Sequence, residues 1–414
     1  MTTRRRGAAA RGAAMLGAAL LGAALAVSAL TLAALTLLSL AALPSATATQ
    51  GTADESGLYL VTLNGPGVTG TPGPETGAAA RARLRATQDA TLASVGAGEP
   101  VYRWTEALNG YAVELTSAQA DVLAADPAVA LVEPNEVRPL AATAAGADQR
   151  APGTSSGRTR GGAGVVVGVV DTGLWPESPL FAGVPGLGAQ PRAFRGVCEE
   201  GDEWAASTCN RKVVGARWFV DGFGTANVRS STYLSPRDDN GHGTQVGSIA
   251  VGNADVSVRG NGEALGTFAG VAPQARIAVY KACWTAPDPT DDGCATADLV
   301  TAVDRAVEDG VDVLNLSVAG PAGLDTLERA LLGAAEADVV VVAAAGNSGR
   351  SAYAAHAAGP STCRRRSSPT ESRARRTPTG RCCRRRPPRP RRPPPRPAGP
   401  APGCRVPQDP LPTG

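Results

Sequence analysis

The sequence predicts an α/β protein in which a three-layer parallel sheet, covered by helices on both faces, follows a smaller α+β module. Three observations predict it. Residues 163–358 alternate short β-branched runs with amphipathic helical stretches, the pattern of buried parallel strands joined by crossover helices. Residues 57–132 read in the order β-α-β-β-α-β, the split βαβ arrangement of ferredoxin-like modules. Residues 359–414 break the pattern, with 15 Arg and 15 Pro from 360 onward and only Val406 and Leu411 among the larger aliphatic residues. A segment of that composition buries no core and is expected to be disordered.

The amino end carries Arg4, Arg5, Arg6 and Arg11, then an uncharged Ala/Leu/Val stretch to Leu43, then Ala46-Thr47-Ala48. A basic region, an apolar core and an Ala-x-Ala site describe a secretory signal over 1–48, cleaved after Ala48. The apolar stretch would also span a bilayer as an uncleaved anchor. The Ala-x-Ala directly after it favours the signal, hence a secreted protein with no stable membrane anchor after cleavage.

The small module takes residues 49–140. A strand is expected over 57–63, a helix over 78–94, strands over 101–104 and 110–115 around a tight turn at Leu108-Asn109-Gly110, a helix over 117–125 and a strand over 129–132. Residues 141–162 are rich in Ala, Gly, Ser and Thr and read as a linker. Next come strands at 165–170, 275–280, 311–317 and 339–344. A helix over 296–309 has Leu299, Val300, Val303, Ala306 and Val307 on one face, and one over 325–337 opens on Asp325 with Glu328 three residues on.

Export places the cysteines in an oxidising compartment. Cys198 with Cys209, and Cys283 with Cys294, lie close enough in sequence to close two small loops, against the alternative of free buried thiols. Metal-ligand spacing is absent, and two histidines in 414 residues are too few for a zinc site, so no metal or cofactor is expected. The net charge of +3 is local to the tail. Residues 360–414 hold 15 of the 40 basic and 2 of the 37 acidic residues, leaving 25 against 35 before them, a net −10. The body gives no reason to expect nucleic acid.

Chemistry enters at two stretches. Val165–Val170 is a buried strand followed at once by Asp171-Thr172-Gly173, which puts a carboxylate at a strand's carboxyl end, where open α/β sheets place their sites. Asn240-Gly241-His242-Gly243-Thr244 reads as a loop turning into a small-residue helix, its glycines letting other backbone approach the imidazole. An Asp that orients a His supplies two members of a nucleophilic triad, and Asp before His before Ser is the subtilisin order. With 170–178, 209–217, 235–244 and Ala344-Ala345-Gly346-Asn347-Ser348-Gly349, these stretches make the chain resemble the subtilisin-like serine peptidases, family S8. Residues 49–140 are similar to that family's inhibitory I9 propeptide, carried by Asn109-Gly110-Tyr111, Leu115-Thr116 and Gln119-Ala120.

The resemblance implies a secreted endopeptidase precursor that acts on protein and peptide substrates and is held inactive by its own propeptide. It makes His242 the general base, Asp171 its orienter, Asn347 the oxyanion donor and Leu316-Ser317-Val318-Ala319-Gly320 the strand that pairs with substrate. Gln245 stands where the family usually shows a second His. The Gly-Thr-Ser of the family's nucleophile is not found downstream of Asn347; Gly153-Thr154-Ser155 precedes the Asp and lacks a following helix, and Ser361, Ser367 and Ser368 sit in the tail. The likeness ends near Ala358, and the abrupt change reads as a truncated or out-of-frame end of the S8 domain. The chain as given is therefore expected to be inactive. Two other classes remain open: a non-catalytic inhibitory protein acting through 49–140, and a basic-tail interaction protein.

Overall fold

The computed structural model describes residues 56–346 except 71–76, 142–160, 189, 190, 192, 261, 262, 319, 321, 322 and 345. The signal-like segment, most of the linker, Ala319, Asn347 and the Arg/Pro-rich tail lie outside the described residues.

The small module runs β1 (Ser56–Pro66), α1 (Gly77–Ser94), β2 (Tyr102–Trp104), β3 (Leu108–Thr116), α2 (Ser117–Ala124) and β4 (Val129–Pro134). Its antiparallel sheet has the order β2-β3-β1-β4. Strand alternation gives it two buried faces. Val61, Leu63, Tyr111, Val113 and Leu115 pack under α1 and α2 through Leu92, Ala120 and Leu123. Leu60 and Ala112, on the opposite face, join Trp104 and Leu108 in the core of the larger domain. Thr116 and Gln119 close a capping box that starts α2.

Asn109-Gly110 is not a turn. Both residues lie inside β3, Gly110 opposite Thr62 on one side and Trp104 on the other, and the chain reverses at 105–107 instead. Glycine is needed at 110 for close approach, since a Cβ there would meet the Val61 carbonyl and the Trp104 ring. Asn109 is spoken for by a hydrogen bond from Gln88.

Beyond the module come β5 (Val137–Arg138), β6 (Val166–Asp171), β7 (Val213–Trp218), α3 (His242–Val251), β8 (Val256–Gly260), β9 (Glu263–Phe268), β10 (Arg276–Lys281), β11 (Cys283–Trp284), β12 (Gly293–Ala295), α4 (Thr296–Asp309), β13 (Val313–Leu316), α5 (Thr326–Glu336) and β14 (Val340–Ala343). Five form a parallel sheet in the order β14-β13-β6-β10-β7. Val166, Val170, Ala278, Tyr280, Leu314 and Leu316 face the core shared with α4 and α5. The alternate residues Val167, Val169, Ile277 and Val279 pack with Leu174, Phe181 and Val251 on the side of α3. The sheet is thus apolar on both faces and makes the middle of three layers.

The apolar stripe expected on α4 is there, but the helix is buried on its polar side as well. Asp298, Thr301 and Asp304 are buried, under the small module and, at Asp298, also under the backbone of Gly222 and Phe223. Trp104 Nε1 donates to Thr301 Oγ1 (2.8 Å), and the Tyr102 hydroxyl donates to Asp298 (2.8 Å). No helix among the described residues is long and apolar enough to cross a membrane.

Candidate active site

Asp171 ends β6, beside Lys281 at the end of β10, so its carboxylate stands at the carboxyl edge of the sheet. His242 is the first residue of α3, and Gly241 before it takes a left-handed φ of 95° that turns the loop into the helix. Gly243 lets α3 lie against the strand end, because a Cβ there would run into the backbone of Gly173. The result is a direct bond of 2.7 Å from His242 Nδ1 to Asp171 Oδ1 between residues 71 positions apart. Thr172 N donates to the same oxygen at 2.8 Å, while Asp171 Oδ2 is buried without a hydrogen-bond partner among the described residues.

A second carboxylate fixes the loop. Asp238 accepts the N–H groups of Asn240, Gly241 and Thr244 and the hydroxyls of Thr172 and Thr244, and Thr172 in turn accepts Gly243 N. Behind it, Lys281 Nζ is buried against Asp239 (3.0 Å) and the Arg237 carbonyl (2.7 Å). Sequence reading gave Asp238, Thr172 and Lys281 no role of their own in the site. The acidic doublet four residues before His242 was the available signal, since short side chains there bond readily to nearby backbone N–H groups.

The hydrogen bond that His242 donates to Asp171 raises the His242 pKa above the ordinary imidazole value, against the opposing effect of burial. Burial pushes the Asp171 carboxyl up, opposed by its bonds from His242 and Thr172. The two tendencies compete for one proton. The proton stays with His242, because an imidazole is intrinsically the stronger base.

The cleft in front of His242 is filled by the chain itself. β5 pairs antiparallel with β12, Arg138 opposite Cys294 and Val137 opposite Ala295. Leu140 bridges to Val318, and Ala141 N donates to the Ser317 carbonyl at 2.9 Å. The strand at 137–141 therefore lies between β12 and residues 317–318. It delivers the Ala141 carbonyl oxygen to within 3.1 Å of His242 Nε2. Ala141, read from sequence as the first residue of a linker, is a buried, paired residue here. Of the stretch 316–320, Leu316 ends β13, Ser317 and Val318 touch the strand, and Gly320 is half-buried. Sequence reading missed β12 altogether, because a three-residue strand carries no periodicity and Cys294 drew notice only as a thiol. A disulfide joins Cys294 to Cys283, its direct cross-strand neighbour on β11, and a second joins Cys198 to Cys209.

Residues 162–370, just over half of the chain, match the family model for the subtilase family of S8 peptidases. The chain belongs to the subtilase family. Residues 59–141 of this subtilase match the peptidase inhibitor I9 model, a span that closes on Ala141. Subtilisin-like protease SBT1.2 of Arabidopsis thaliana is 39% identical over 267 residues, covering 60% of this chain and 33% of that protein. Subtilisin-like protease SBT3.3 of the same plant is 39% identical over 268 residues, covering 61% and 34%. The subtilase described here spans about a third of the length of these curated relatives. Among solved structures, the epidermin leader peptide processing serine protease of Staphylococcus aureus aligns at 17% identity with a TM-score of 0.41, over 71% of this chain and 61% of that one.

Proposed function

We propose that this subtilase is the precursor form of a secreted serine endopeptidase, held closed by its own I9 module. Asp171 and His242 are the two supporting members of the triad. The observation that carries this reading is the placement of His242 Nε2 against the Ala141 carbonyl while its Nδ1 is held by Asp171.

In such a reaction a hydroxyl attacks the peptide carbonyl as His242 Nε2 takes its proton, and the imidazolium then gives that proton to the departing amine. Asp171 keeps Nδ1 protonated, so that Nε2 is the free base, and stabilises the charge that forms. Asn347, outside the described residues, supplies the neutral hydrogen bond to the oxyanion. Residues 316–320 on one side and Gly293–Ala295 on the other receive an extended peptide by main-chain pairing, which explains why the strand at 137–141 blocks the cleft in a product-like course. Residues 1–48 act as the export signal, and protein or peptide chains are the substrates.

On this reading none of Ser361, Ser367 and Ser368 takes the attacking role, and the chain as given is expected not to hydrolyse peptide bonds. Removal of the nucleophile alone from subtilisin costs on the order of a million-fold in rate. Casein incubated with the purified chain is expected to stay intact, and intact mass is expected to show residues 49–140 still attached. A species cut within residues 141–162, whose formation a serine-directed phosphonate blocks, would falsify the inactivity.

A further inference from the structure

We infer that the cleft selects an arginine three residues before the carbonyl presented to His242, and that Asp325 with Thr296 makes the selection. The inference rests on the cleft being a peptide site, as proposed above, and names the substrate class that it takes.

The strand at 137–141 shows which pockets an extended peptide on this course fills, since this course brings the Ala141 carbonyl to His242. Arg138 enters the most enclosed of them. Its side chain is 7% exposed, Nη2 lies 2.9 Å from Asp325 Oδ2, and Nε donates to Thr296 Oγ1 at 3.0 Å. The place is unusual for a cation. Thr296 is the first residue of α4 and Asp325 is the N-cap of α5, so two helix amino ends meet there, and helix amino ends favour anions. The Asp325 carboxylate reverses that preference. Its other oxygen accepts Glu328 N at 2.9 Å, which fixes the carboxylate instead of leaving it free to swing away.

Discrimination then works from both sides. An apolar residue at this position leaves Asp325 buried without a cation, and an acidic one adds a like charge to it. The strand itself is held by main-chain hydrogen bonds that any sequence can make, so the Arg138 pocket, and not the pairing, distinguishes one peptide from another.

The test uses the full chain carrying Arg138→Glu, whose own strand is repelled by Asp325 and vacates the cleft. Fluorescence anisotropy compares labelled Val-Arg-Pro-Leu-Ala with the same peptide bearing norleucine or glutamate in place of arginine. The arginine peptide is expected to bind at least about tenfold tighter than either, the scale of one charge-assisted hydrogen bond. Adding Asp325→Asn, which keeps a capping side chain and removes the charge, should shrink that preference to about twofold. Equal binding of the three peptides, or a preference that survives Asp325→Asn, overturns the inference and leaves the peptide-cleft reading standing. Binding of none of them, with α3 and α4 still protected from hydrogen exchange, overturns both. In parallel, Asp325→Asn alone is expected to speed hydrogen exchange of residues 137–141 at least about tenfold; unchanged exchange also overturns the inference.

Discussion

The carboxylate of Asp304, in the middle of α4, accepts the backbone N–H groups of Glu106 and Ala107 at 2.9 and 2.8 Å. A single acidic side chain thereby holds the reversal between β2 and β3 against the larger domain. Burial pushes its pKa up to about 7, against the pull of those bonds, and burial does the same to Asp298, also about 7. Each carboxyl binds its proton more tightly folded than unfolded. The stability this adds is complete below the ordinary carboxyl value and is lost as pH rises through about 7. Denaturation at a series of pH values should show stability falling between about pH 4 and 7, and Asp304→Asn should flatten the fall. A native curve that rises across this window would contradict the assignment.

Gly333 of α5 lies against Ala107, and a Cβ there would run into the Ala107 carbonyl. In an isolated helix Gly333→Ala would be stabilising by about 1 kcal/mol. Here overpacking reverses the sign, with an expected net loss of about 1–3 kcal/mol. Equilibrium denaturation checks it, and faster proteolysis within 102–116 should accompany the loss.

His242 and His356 are the two histidines, so imidazole proton signals resolve into two titrations. His242 is expected to titrate above the ordinary value, and Asp171→Asn to bring it back down. The ion pair contributes stability below about pH 6.5 that disappears as pH rises through the elevated folded value.

Lys212 is fully buried with no acidic partner among the described residues; its Nζ donates to the carbonyls of Pro273 and Ala275 at 2.8 and 2.7 Å. Burial, helped by the charge of Arg276, brings its pKa down to about 7. The unfolded chain holds that proton up to about pH 10.5 and the folded chain does not, so this residue makes stability rise with pH above 7. Lys212→Met should abolish the rise between pH 7 and 9 in a denaturation series.

The strands at 166–171 and 276–281 were legible because burial on both faces demands continuous apolar runs; those at 313–316 and 340–343 kept such runs although one face of each is partly exposed, and the helices were legible because their apolar stripes are long. β11 and β12 were not, being two and three residues long and held by a disulfide and a neighbour instead of by periodicity; β7, β8 and β9 were not read as strands either. Asn109-Gly110 misled, since glycine serves close packing as well as turns.

The sequence by itself determined the strand–helix order, the carboxylate at a strand end and the glycine-flanked imidazole, because those follow from local composition and period. Only the tertiary structure decided that Asp171 and His242 touch, that Asp238 cages their loop, and that residues 137–141 lie in the cleft before them. Contacts across 71 or 101 positions depend on how layers stack and strands register, and no local window of sequence carries that information.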